Sequence, residues 1–255
     1  QAPQTSAIMN VNSNSYTYLF SVVMVVLVAV MLSVAALSLK PAQDANIELE
    51  KKQEILKSLG IDVTREEAGI AFDEYIKEQL VLKGGQPIAN PEVPAFAINM
   101  ADAVSKPSDE REVPLFIAER DGSTFYIIPV RGKGLWGPIW GYVSISSDGY
   151  TVTGATFGHK GETPGLGAEI STPVFTDQFP GKKLAVDGQF QGIAVRKGDA
   201  SGDHQVDGIS GGTITSVGVE NMLNDCLKPY VSYLLSRNAV EVPAPATNDT
   251  LISVL

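Results

Sequence analysis

Cysteine occurs once in the 255 residues, at Cys226, so no internal disulfide can form and packing alone must hold the fold. Histidine occurs twice, at His159 and His204, far apart and outside any ligand-spaced cluster with cysteine, which argues against a protein-held metal. Lys and Arg total 19 against 29 Asp and Glu, giving a net charge of -10 and a pI near 4.7. No basic cluster interrupts this balance, so a nucleic-acid surface, which needs Lys and Arg grouped against phosphates, is excluded. No Gly-x-Gly-x-x-Gly follows a strand and opens a helix, so the chain lacks the fingerprint of a dinucleotide-binding fold. No internal repeat is visible.

One stretch lacks charge altogether. From Thr17 to Leu39 the chain reads TYLFSVVMVVLVAVMLSVAALSL, longer than the ~20 apolar residues a helix needs to cross hydrocarbon. It reads as a transmembrane helix over 17–39, behind an N-terminal leader over 1–16 in which Met9 begins a shorter leader of its own, MNVNSNSY. A cleaved signal peptide is the competing reading. It would have a shorter apolar region, a basic flank and a small-x-small exit, whereas residues 1–16 carry no Lys or Arg and the exit is Ser38-Leu39-Lys40-Pro41. Lys40, Lys51 and Lys52 follow the helix, which by the positive-inside rule would leave the large domain in the cytoplasm.

Residues 40–114 read as a helical and loop region. A helix leaves the membrane from Pro41 to Leu59 and ends at Gly60; a second spans 64–83, with Thr64 and Glu67 as its capping box and Gly84-Gly85 as its stop. Prolines and acidic residues then break every periodic run to Pro114, leaving one short strand at Phe96–Ile98. Residues 115–238 form the domain core, with strands at Leu115–Glu119, Thr124–Val130, Trp140–Ser146 and Thr151–Phe157 and turns at Asp121-Gly122 and Asp148-Gly149. Further β segments fall at Leu184–Val186 and Ile193–Arg196. Val219, Met222, Leu223, Cys226, Leu227, Tyr230, Val231, Leu234 and Leu235 then recur at helical spacing, with Cys226 as a buried, inert thiol and Pro229 predicting a bend or break near Asp225 to Pro229. The Pro- and Ala-rich stretch over 239–255 is expected to be disordered. The fold class is α+β: one N-terminal transmembrane helix, then a domain on an antiparallel sheet.

The chemistry concentrates at Asp207-Gly208-Ile209-Ser210-Gly211-Gly212-Thr213-Ile214-Thr215. A threonine hydroxyl does not attack a substrate at neutral pH without an activating base or metal, and none stands nearby in sequence. The three glycines instead allow another molecule to approach closely, so Thr213 reads as an acceptor. The competing reading is a plain helix N-terminus, and the two are compatible, because the free N–H groups and positive dipole end of a helix favour a phosphate.

This segment is similar to the Asp-x-x-(Ser/Thr)-Gly-(Ala/Gly)-(Thr/Ser) sequence at which a flavin transferase attaches FMN through a phosphoester, with Gly212 where Ala is usual. Two further motifs, Glu162-Thr163-Pro164-Gly165-Leu166-Gly167 and Gly132-Lys133-Gly134-Leu135-Trp136, occur in the expected order. With them the chain from Met9 to about Arg237 resembles the C-type subunit family of the sodium-translocating NADH:quinone reductase, Na+-NQR. The resemblance implies a domain with covalent FMN on Thr213. Asp207, Ser210, Gly211 and Gly212 would serve as the transferase's recognition sequence, and Thr163 and Leu166 as flavin neighbours. It implies an electron-transfer role between NADH and ubiquinone coupled to sodium export, with the other subunits of the complex, a flavin transferase and the membrane as partners. It also implies a bacterial inner-membrane location with the domain in the periplasm, and that topology is preferred to the one the three lysines indicate. Trp136 and Trp140 would either shield the flavin or fill the core. Thr153-Gly154-Ala155-Thr156 copies the acceptor core, but Tyr150 stands where Asp is needed, leaving Thr156 second to Thr213. The alternatives are the G-type subunit of the related Rnf electron-transport complex, and an anchored binding or assembly module without flavin.

Overall fold

Unbroken apolar runs mark the centre of the molecule. Leu115, Phe116, Ile117 and Ala118 are all buried in succession, as are Ile127, Ile128 and Val130, which is the pattern of strands covered on both faces rather than one. The computed structural model describes residues 13–241.

Helix α1 spans Asn14–Ser58 as one 45-residue element, so the apolar segment and the helix predicted after it are continuous, and Gly60 at φ +75° turns the chain out of it. Among the described residues, α1 alone is long and apolar enough to cross a membrane by length and composition. Contacts divide the chain into residues 1–49 and 50–255, with the last turns of α1 in the second unit.

In that second unit α2 (Ala68–Tyr75) leads into β1 (Ile76–Lys83) and β2 (Gln86–Pro87). After α3 (Met100–Val104) come β3 (Glu112–Arg120), β4 (Ser123–Lys133), β5 (Pro138–Ser146) and β6 (Val152–His159). These strands form one antiparallel sheet of order β2-β1-β3-β4-β5-β6. Pairing keeps each face consistent: Phe116 lies opposite Ile127, and Ile117 opposite Tyr126. One face, with Ile117, Tyr126, Ile128 and Val143, packs on the long C-terminal helix α5 (Thr213–Glu241). The other, with Phe116, Ala118, Ile127 and Tyr142, packs on Ile55, Leu56 and Leu59 at the end of α1 and on Phe72 of α2. Between β6 and α5 lie α4 (Pro173–Thr176) and the short strands β7 (Ala185–Val186), β8 (Gln189–Phe190), β9 (Ala194–Arg196) and β10 (Gln205–Asp207).

Three expectations need correction. The helix predicted over 64–83 stops at Tyr75, and Ile76–Lys83 is a strand that pairs with β3 over most of its length. The sheet therefore draws in residues ahead of 115. Helix-compatible composition here yields to tertiary pairing, since β3 would otherwise present an open edge. Thr64 and Glu67 do interact as a capping pair, with the Thr64 N–H 3.0 Å from Glu67 Oε2, but they close the turn before α2. Phe96–Ile98 is not a strand: Ala95–Ala97 forms a 3-10 turn. Of the bend or break expected at Pro229 the break does not occur: α5 runs through it, with Cys226, Leu227, Tyr230 and Val231 buried on both sides of the missing donor. The helix also continues to Glu241, beyond the predicted boundary at 238; residues 242–255 and 1–12 lie outside the described residues.

The end of α1 meets a polar strip on the sheet. Thr156 Oγ1 donates to the Glu54 carbonyl at 3.4 Å and Ser144 Oγ to the Ser58 carbonyl at 2.5 Å. Burial, reinforced by the neighbouring Glu50, lifts the Glu54 carboxyl from 4.5 to about 7, against the opposing pull of the Trp140 N–H and Lys57. The folded chain thus keeps a proton that the unfolded chain releases. Stability is therefore expected to decline as pH rises from about 4.5 to about 7, and Glu54→Gln to flatten that slope in thermal unfolding scans across the range. In the larger core, Leu223 is fully buried, and Leu223→Ala is expected to cost about 2–5 kcal/mol by urea denaturation.

Candidate functional site

The 207–215 segment is a strand end, a turn and a helix start in sequence. β10 pairs in parallel with β9, Asp207 opposite Arg196, and Gly208 N–H extends the pairing to the Arg196 carbonyl at 2.6 Å. Gln178 clamps the end of the strand from both sides, accepting from Asp207 N–H at 2.7 Å and donating to the Asp207 carbonyl at 3.2 Å. The chain then reverses through Ile209–Gly212, closed by Gly212 N–H on the Ile209 carbonyl at 2.9 Å, with Gly211 at φ +75° where side chains other than glycine are disfavoured. Ser216 Oγ reaches back to accept the Ile209 N–H at 3.0 Å, tying the turn to the first turn of α5.

Thr213 is the first residue of α5 and its side chain is exposed. It lines a cavity of about 290 Å³ together with Arg196, Lys197, Ser210, Gly211, Ser216 and Val217. The N–H groups of the first turn have no acceptor within the helix, and with the two cations of β9's end they make the surroundings of Thr213 favourable to an anion. An FMN phosphate fits this donor set. At about 290 Å³ the cavity falls just below the ~300–1,000 Å³ usual for ligand pockets, enough for the phosphate end rather than for the whole cofactor.

Of the residues singled out from sequence, Thr213, Ser210 and Gly211 line this cavity. Leu166, 41% exposed, is brought against the same turn, since a Cβ on Gly211 would lie 2.6 Å from Leu166 Cδ2. Gly212 is buried beside Gly167: its absent Cβ would stand 3.3 Å from Gly167 N and 3.1 Å from Ile209 Cβ. Thr163 is exposed, and its carbonyl shapes the 160–167 loop by accepting the N–H groups of Leu166 and Ala168, each at 3.1 Å. Asp207 is half-buried and its carboxylate accepts the Ala200 N–H at 2.8 Å, so it orders the loop after Arg196 and is not among the cavity's lining residues. Trp136 is 69% exposed at the tip of the β4–β5 hairpin, which overturns the core reading for that residue. Trp140 is half-buried, its N–H on Glu54. Thr156 is buried within β6. Cys226 is buried on α5, and burial pushes its thiol up to about 11, an unreactive state.

Sequence reasoning missed Arg196 and Lys197, although a basic pair ending a strand in an acidic chain was a visible signal. It also gave no role to Thr215, Ser216 and Gln178, whose partners lie far away in sequence or across a turn.

Residues 134–228 match the FMN-binding domain family, which sets the class of the module built by these loops. The chain is 34% identical over 212 residues to the C-type subunit of the Na(+)-translocating NADH-quinone reductase of Vibrio campbellii, covering 74% of this chain and 81% of that protein. It is 35% identical over 207 residues to the corresponding subunit of Haemophilus ducreyi, covering 75% and 80%. The crystal structure of the same subunit from Parabacteroides distasonis aligns with a TM-score of 0.71 at 44% identity, over 77% of this chain and 96% of that one. Shewanella oneidensis NqrC shares the fold, with a TM-score of 0.62 at 24% identity over 75% of this chain and 98% of that one. The chain belongs to the NqrC family, the C-type subunits of the Na(+)-translocating NADH-quinone reductase.

The turn's two glycines should respond differently to a methyl group. Gly211→Ala is expected to cost about 1–2 kcal/mol, because an L-residue is forced into the left-handed region. Gly212→Ala needs only a shift of its neighbours and is expected to cost under about 1 kcal/mol. Urea denaturation of the two variants beside the parent checks this order.

Proposed function

We propose that this protein is the membrane-anchored electron-transfer subunit of a sodium-translocating NADH:quinone reductase and that it carries FMN as a phosphoester on Thr213. The observation that supports the attachment point is an exposed Thr213 hydroxyl at the N-terminus of a 29-residue helix, in a cavity that also holds Arg196 and Lys197. The family membership supports the redox role. Bound there, FMN supplies the electron-accepting and electron-donating chemistry, and the protein supplies position and electrostatics. The first-turn N–H groups, Arg196 and Lys197 balance the phosphate, Leu166 offers an apolar surface to the ring, and Ser210 and Gly211 keep the approach open. A covalent tether suits a carrier that must not be lost into the periplasm. On this reading α1 crosses the inner membrane once and the domain lies on the periplasmic side. A flavin transferase loads Thr213 there, and the neighbouring subunits exchange electrons with it, NADH and quinone binding elsewhere in the assembly.

The test is co-expression of the full chain with a flavin transferase. The denatured wild-type band should fluoresce under ultraviolet light, and its Thr213 peptide should be heavier by FMN less one water. Thr213→Ala should give a dark band with unchanged far-ultraviolet circular dichroism. Covalent flavin retained in that variant would overturn the attachment point.

A further inference from the structure

Glu162 is a buried carboxylate that the flavin reading leaves without a role, only 4% exposed in a loop whose residues 163–166 are exposed. Its Oε2 accepts the Thr215 hydroxyl at 2.6 Å and its Oε1 the Trp136 N–H at 2.9 Å. Backbone N–H groups of Gly137 and Leu135 add to these. Its own N–H donates to His159 Nδ1 at 3.2 Å, which fixes the loop where it leaves β6. Burial alone would raise the carboxyl, but the Thr215 hydroxyl and the three backbone donors outweigh it and hold it below the ordinary range. The sequence leaves room for this arrangement. A Cβ on Gly134 would lie 2.5 Å from Glu162 Oε1, and one on Gly167 would lie 2.6 Å from Oε2 and 2.5 Å from Thr215 Oγ1. The hairpin tip, the 160–167 loop and the start of α5 thus converge on one side chain.

We propose that Glu162 is the positioning residue of the acceptor: by holding Thr215 it fixes the rotational phase of the first turn of α5, so that Thr213 is presented outward. The inference rests on the FMN reading of Thr213. Residues two apart on an α-helix are separated by about 200° around its axis, so a pinned inward Thr215 sets Thr213 on the opposite side. Burial follows that geometry, with Thr215 2% exposed, Ile214 60% exposed and Thr213 exposed. The first turn is where a helix has fewest bonds of its own and frays most easily, so an external pin has most effect there. Leu135 and Trp136 are held by the same carboxylate through their backbone N–H groups, leaving both side chains exposed.

The experiment compares Glu162→Gln, Thr215→Val and Thr215→Ser in the full chain, each co-expressed with a flavin transferase. Glu162→Gln replaces one accepting oxygen with an NH2 that faces other donors; Thr215→Val removes the hydroxyl at nearly constant shape. Both are expected to lower covalent flavin per chain by about tenfold, the effect of one lost charge-assisted hydrogen bond. Both should also lower the fluorescence anisotropy of whatever flavin is attached. Thr215→Ser, which keeps the hydroxyl, should restore both readouts. Wild-type loading and anisotropy in Glu162→Gln and Thr215→Val would overturn the role of Glu162, as would a Thr215→Ser variant as defective as Thr215→Val. Should Glu162→Gln fail to fold by circular dichroism, the Thr215→Val and Thr215→Ser pair decides alone. Wild-type chain without flavin on Thr213 would overturn the FMN reading and this inference together. Flavin on wild-type Thr213 with unaffected variants would overturn the positioning role alone.

Discussion

Burial of both faces of the central strands is the constraint on which the rest of the structure depends. With one free cysteine and no disulfide, the domain relies on removing β3, β4 and β5 from water on both sides, and each face needs its own cover. The long helix α5 covers one face, and the last turns of α1 with α2 cover the other. This fixes where chemistry can sit. The helix that seals the larger core must begin somewhere at the sheet's margin, and its first turn, with unpaired N–H groups facing out, is where Thr213 stands.

The site sets two electrostatic demands against each other within a few residues. The outer side of the first turn of α5 has Arg196 and Lys197 along its cavity, local cations in a chain whose net charge is -10. The inner side holds a buried carboxylate, Glu162, kept ionised by hydrogen bonds rather than by a counter-ion. Glu162 inside gains from the positive end of the helix dipole, as would an anion placed outside, and Thr213 and Thr215, separated by one residue, differ in burial, one exposed and one buried.

Much of this was legible in the chain itself. The uncharged run from Thr17 to Leu39 and the heptad-like apolar face from Val219 to Leu235 have periods and lengths that admit few alternatives, and both are helices. The hairpins around Asp121-Gly122 and Asp148-Gly149 were marked by turn chemistry, with Asp121, Gly122 and Gly149 all at positive φ. Ile76–Lys83 was misread because its composition suits a helix equally well, and only the open edge of β3 decides for a strand. Trp136 was left open between two readings because an aromatic residue among glycines carries no periodicity to say which way it points, and its exposure excludes the core.

The sequence by itself determined most of the elements and the glycine turn ahead of Thr213, because glycine, proline, turn residues and hydrophobic period act over a few neighbours. Tertiary structure alone decided which residues surround that turn. Leu166 comes to Gly211, Arg196 and Lys197 come to Thr213, and Glu162 comes to Thr215 and Trp136 from three separate segments. Such meetings depend on how the sheet and α5 pack, and burial of a hydrogen-bonded carboxylate has no signature in local sequence, where Glu162 reads as one more exposed loop acid.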